Sequence, residues 1–88
     1  MSLKTLVTTE NIKAITAMAK THYAGYLREG DYVVADNTVY LVTGTQDHLR
    51  DDDRAIVTLF CTNLLTRTIQ DLHYLKYADV LSIVSARR

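Results

Sequence analysis

The change of hydrophobic rhythm at Gly30 restricts this chain more than any other feature it carries. Before it, Ile12, Ile15, Met18, Ala19, Tyr23, Tyr26 and Leu27 recur at three- and four-residue spacing, the apolar stripe of an amphipathic helix. After it, short runs of β-branched and aromatic residues suit a pleated, half-buried surface. A helix over residues 9–29 is therefore expected. Thr8 or Thr9 caps it, Glu10 favours its positive end, and Gly30 stops it. Gly25 lies inside the pattern and weakens it by roughly 1 kcal/mol against Ala, so a bend there or an earlier end near Tyr23 is the alternative.

Beyond Gly30, Asp31-Tyr32-Val33-Val34-Ala35 and Thr38-Val39-Tyr40-Leu41-Val42-Thr43 read as a hairpin. Asp36-Asn37 forms its turn, because both residue types tolerate positive φ. Residues 44–54 read as a polar loop, 55–61 as a third strand, and Thr62-Asn63 as a turn. Residues 64–69 read as a fourth strand, in competition with a helix over 64–77. A tight connection then holds Leu72 and Leu75, and 80–84 close the sheet. Arg87 and Arg88 read as a frayed end. The expected fold class is α+β in a single domain, 1–88. An amino-terminal amphipathic helix (1–29) packs on a small antiparallel barrel or curled sheet (30–84) of about five short strands.

Gly30-Asp31-Tyr32-Val33-Val34 followed by Thr38-Val39-Tyr40-Leu41-Val42 resembles the opening hairpin of small SH3-like barrels. Ala55 to Ile69 would supply the next two strands. Leu72, Leu75 and Ala78-Asp79-Val80 look like the short 3₁₀ turn and closing strand of that architecture. The likeness spans residues 30–84. It implies a barrel whose exposed aromatics, beside variable loops, receive protein, peptide or nucleic-acid ligands, and it does not choose among them.

Composition excludes several classes. Ten Lys+Arg balance ten Asp+Glu in 88 residues, for a formal charge of zero, which argues against a general nucleic-acid binder with a basic footprint. With 48% hydrophobic residues the chain is not of the disordered type. One Cys closes no intrachain disulfide and builds no Cys-rich zinc site. The first residues do not read as a signal peptide, and no apolar run is long enough to span a membrane. A cytoplasmic setting is expected.

Few residues suggest chemistry. The run Asp47-His48-Leu49-Arg50-Asp51-Asp52-Asp53 concentrates oxygen ligands, yet it lacks the glycine and terminal glutamate of a calcium loop. It reads as a solvated loop, with an acidic loop that binds a partner as the first alternative and a metal site as the last. His22 reads as boundary packing, and His73, between Leu72 and Tyr74, as bonding a backbone carbonyl. Cys61, after Leu59-Phe60, reads as a buried inert thiol. No metal, cofactor or catalytic set is assigned.

Six tyrosines and no tryptophan are the more telling count. Tyrosine offers interface area and a polar tip at low entropic cost. Tyr23, Tyr26 and Tyr40 are expected inside, with Tyr74 and Tyr77 at the rim beside Lys76 and Arg67. The expected function is a non-catalytic module binding a protein or peptide through Tyr74, Tyr77, Lys76, Arg67 and the acids Asp51, Asp52 and Asp53. A phage or other mobile element is a natural home for such an accessory protein. One alternative is a nucleic-acid-binding or transcription-associated domain, stacking on the same tyrosines. Another is an enzyme with a shallow site at an oligomer interface, built from His73, Cys61 or residues 51–53. Homo-oligomers through edge strands are also expected.

Overall fold

A computed structural model describes residues 7–49 and 54–84. Ile12–Met18 form one short helix, α1. Asn11, not Thr8 or Thr9, occupies the cap position; its Oδ1 accepts from Thr8 N–H at 2.8 Å, outside the helix, rather than from a helix amide. The chain then turns extended at Ala19. Lys20–Tyr23 form β1, and Ala24–Tyr26 a single 3₁₀ turn. The long amphipathic helix expected over 9–29 is therefore absent. The fold is mainly antiparallel β rather than α+β.

The reason lies in where the two halves of the apparent stripe point. Ile12 and Ile15 bury with Val7, Val34, Val39 and Leu64 in one cluster. Ala24 and Leu27 bury in a second cluster with Val33, Tyr40, Leu59 and Cys61. One straight helix cannot serve both clusters. Helix propensity is a weak prior against tertiary pairing, and seven residues of helix persist only because their apolar face is covered.

Five further strands follow: β2 (Tyr32–Ala35), β3 (Thr38–Leu49), β4 (Ala55–Asn63), β5 (Thr68–Leu75) and β6 (Asp79–Ile83). Their order is β1-β6-β2-β3-β4-β5, with every neighbour antiparallel. The β2–β3 turn is as expected: Asp36 (φ 52°) and Asn37 (φ 58°) both adopt the left-handed conformation of a two-residue hairpin turn. Gly30, with φ 95°, sets up the entry to β2 in a conformation that side-chain-bearing residues rarely adopt.

Three boundaries differ from expectation. Residues 44–49 continue β3 rather than forming a loop, with a one-residue slip in the ladder between Val42 and Gly44. Asn63 ends β4, and residues 64–67 make the turn. Asn63 Oδ1 accepts from Leu65 N–H and Thr66 N–H, and Arg67 takes φ 63°. Residues 68–75, expected as strand end plus connection or as helix, form a full strand.

β2, β6 and the first half of β3 are covered on both faces. Tyr32, Val34, Val39, Leu41, Leu81 and Ile83 join the cluster under α1. Val33, Ala35, Tyr40, Val42, Val80 and Val84 join the other. Strands apolar on both faces read as continuous hydrophobic runs. The inner cluster continues over Val57, Leu59 and Cys61 of β4 to Leu72 and Tyr74 of β5. The 3₁₀ turn crosses the open end of the curl: Ala24 N–H donates to Ala78 O and Gly25 N–H to Lys76 O, at 2.9 and 2.8 Å. Asp31, wholly buried, locks the preceding turn by accepting from Arg28 N–H at 2.8 Å. Among the described residues no helix is long and apolar enough to cross a membrane.

Candidate functional site

The seam where the 3₁₀ turn meets the end of β5 carries the densest exposed aromatic surface. Tyr23 is the last residue of β1, and Tyr26 ends the 3₁₀ turn. Tyr77 follows β5 and is 71% exposed. The Tyr23 and Tyr77 rings meet edge to face, with centroids 5.6 Å apart at 89°. The His22 and Tyr26 rings stack at 5.7 Å, 7° from parallel. Both geometries suit the quadrupoles of aromatic rings. Thr21, His22, Tyr23, Tyr26 and Asp79 line a shallow depression of about 290 Å³. A second, of about 360 Å³, runs along Arg54, Ala55, Leu75, Lys76, Tyr77 and Ala78. The Tyr23–Tyr77 pair lies between the two, one ring lining each.

The backbone fixes this arrangement. Tyr23 lies opposite Asp79 in the β1–β6 ladder, so a carboxylate borders the first depression. His22 Nδ1 lies 2.8 Å from Ser82 Oγ. The Ser82 hydroxyl reaches the carbonyls of Val80 (2.9 Å) and Lys20 (3.4 Å). Donating to a carbonyl, it accepts from His22 Nδ1–H, which leaves Nε2 of the neutral ring as an acceptor. Ser82 is wholly buried, so this Ser–His pair aligns the imidazole and offers no reachable nucleophile.

The residues expected to form one binding face are divided. Tyr77 and Lys76 belong to the aromatic seam. Lys76 Nζ stands 3.8 Å from Asp47 Oδ2 in an exposed ion pair. Tyr74 is half-buried against the inner cluster rather than at the rim, and that burial raises its phenol pKa. Arg67 sits in the β4–β5 turn, separated from Tyr77 by the whole of β5, roughly 25 Å at strand rise. Asp51, Asp52 and Asp53 lie outside the described residues. Of the tyrosines expected inside, Tyr40 is buried, whereas Tyr23 and Tyr26 are exposed.

Cys61 and His73, which the enzymatic alternative named, do not meet within one chain. Cys61 points into the inner cluster, where burial, aided by the Asp71 carboxylate, pushes its thiol up to about 12 from 9.0. His73 lies on the other face of the sheet, its Nδ1 2.9 Å from Thr58 Oγ1. Among the described residues no three His, Cys, Asp or Glu side chains gather as metal ligands.

Sequence reasoning missed His22, Tyr23, Tyr26 and Asp79 as surface. The available signal was Gly25 between two tyrosines: it marks the close approach of the 3₁₀ turn to Lys76, where a Cβ would come 2.5 Å from Lys76 Cγ. No protein-family model matches the sequence, and no curated protein shows significant similarity to it.

Proposed function

We propose that the chain is a small, non-catalytic interaction module that binds a peptide or protein segment along the seam formed by His22, Tyr23, Tyr26 and Tyr77. The observation that carries the reading is the pair of exposed ring contacts bordering two neighbouring depressions. Rigid aromatic side chains outside the core are the residues most enriched where binding energy concentrates. Asp79 at one depression and Lys76 and Arg54 at the other give the seam charges of both signs, which suits a peptide better than a polyanion.

Selection of a random peptide library on the immobilised protein tests this. Enriched peptides should lose about tenfold or more in affinity against Tyr77→Ala and Tyr26→Ala. Both rings are exposed, so truncation spares the core. No enrichment, or peptides that bind both variants as tightly as the unaltered protein, would refute the reading.

A further inference from the structure

We infer that β5 is a self-association strand: two copies of this chain pair antiparallel along it, centred on Leu72. β5 ends the sheet, and among the described residues no strand pairs with its outer side. The strand, Thr-Ile-Gln-Asp-Leu-His-Tyr-Leu, is eight residues long and contains no Lys, Pro or Gly, the residues that commonly blunt an edge against pairing. Ile69 on it is 86% exposed, and Leu75 is also exposed.

The register follows from hydrogen-bond parity. Lys76 N–H donates to Ala55 O, so in the β4–β5 ladder the even residues of β5 direct their amides at β4. Ile69, Asp71, His73 and Leu75 therefore direct theirs outward, and a second strand must pair odd residues with odd. Centring the pair on Asp71 would set two carboxylates opposite each other, and centring it on His73 would match two imidazoles and set Asp71 against Leu75. Centring on Leu72 places Asp71 opposite His73 of the second copy and Ile69 opposite its Leu75, each twice. Hydrogen-bonding polar pairs and apolar cross-strand pairs stabilise a ladder, and like charges destabilise it.

The side chains are prepared for this register. The Nδ1 of His73 is engaged by Thr58 Oγ1 at 2.9 Å, which leaves Nε2 as the ring nitrogen that meets the facing Asp71 carboxylate. The backbone bonds of the 3₁₀ turn go to Lys76 and Ala78, beyond the end of the strand.

Sedimentation velocity over a wide range of concentrations should show a monomer–dimer equilibrium. Ile69→Lys should weaken it about a hundredfold, since the substitution enters a two-fold interface twice. The side chain is exposed, so the variant stays folded by circular dichroism. Under mild oxidation, the D71C/H73C double variant should form a cross-linked dimer, while D71C alone should not. A monomer at every concentration, a dimer indifferent to Ile69→Lys, or cross-linking by D71C alone as complete as by the double variant would each overturn the inference.

Discussion

Substituting Gly25 by Ala tests the closure of the curl directly. Gly25 does not sit at a positive φ, so Ala meets no backbone penalty there. On conformational entropy alone the change would stabilise the fold by about 0.4–1 kcal/mol. The structure predicts the opposite. An added Cβ would lie 2.5 Å from Lys76 Cγ and 3.1 Å from Lys76 O. Neither atom is the free end of a side chain, and the carbonyl is the one that Gly25 N–H bonds. Overpacking of this kind costs about 1–3 kcal/mol, so the net expectation is a loss of about 1–2 kcal/mol. For a domain of this size that lowers Tm by about 5–10 °C. Urea unfolding followed by far-ultraviolet circular dichroism measures it, and aromatic proton shifts report the Tyr23–Tyr77 contact in parallel. Adding Lys76→Ala should recover part of the loss, because it deletes the stem while sacrificing only an exposed ion pair worth under about 1 kcal/mol. A Gly25→Ala variant as stable as the parent, or a double variant with no recovery, would refute the argument.

Three other outcomes follow from named contacts. Asn37→Val should cost about 1–2 kcal/mol in chemical denaturation while Asn37→Gly is tolerated, because an exposed residue at φ 58° isolates the backbone term. Asp31→Ala should cost about 1–3 kcal/mol, since it strands the Arg28 amide beside a wholly buried site. Between pH 9 and 12 only the native state keeps the Cys61 proton, so unfolding releases it. Stability should then fall by about 1.4 kcal/mol per pH unit from this group as pH rises, and its contribution is fully present below pH 9. The slope measured by urea titration should be shallower in Cys61→Ala; equal slopes would contradict the burial of the thiol.

The β2–β3 hairpin was legible because its signals were local: two turn residues that accept positive φ, between runs of strand formers. The helix was overdrawn because spacing alone cannot tell one continuous stripe from two short ones that serve opposite faces of a sheet. Tyr23 and Tyr26 followed the helical spacing yet stand exposed, while Ala24 and Leu27 between and beside them are buried. β5 was obscured for a related reason. Leu72 faces the inner cluster and Leu75 the other side, and two leucines three residues apart mimic a turn of helix. The β4–β5 turn carries no Gly or Pro. It is held by the Asn63 side chain and a left-handed Arg67, a combination with no strong sequence signature. The seam of rings was hidden because it joins residues more than fifty positions apart through the β1–β6 pairing.

The slip in β3 inverts a parity. Before it the odd residues Val39 and Leu41 face α1's side of the sheet; after it the even residues Gln46 and His48 share that side, opposite Thr58 and Ile56. Thr43, whose hydroxyl donates to Phe60 O at 3.0 Å, is the surplus residue that makes the inversion. Without it the ladder would run regularly from Val42 to Gly44, each residue of the arm keeping its β4 partner and its face; paired in register instead of bulged out, it would turn Asp47 away from Lys76 and carry Leu49 to the opposite surface. The exclusion of one uncharged residue from the ladder thus determines which chemistry the far end of the hairpin shows to each side.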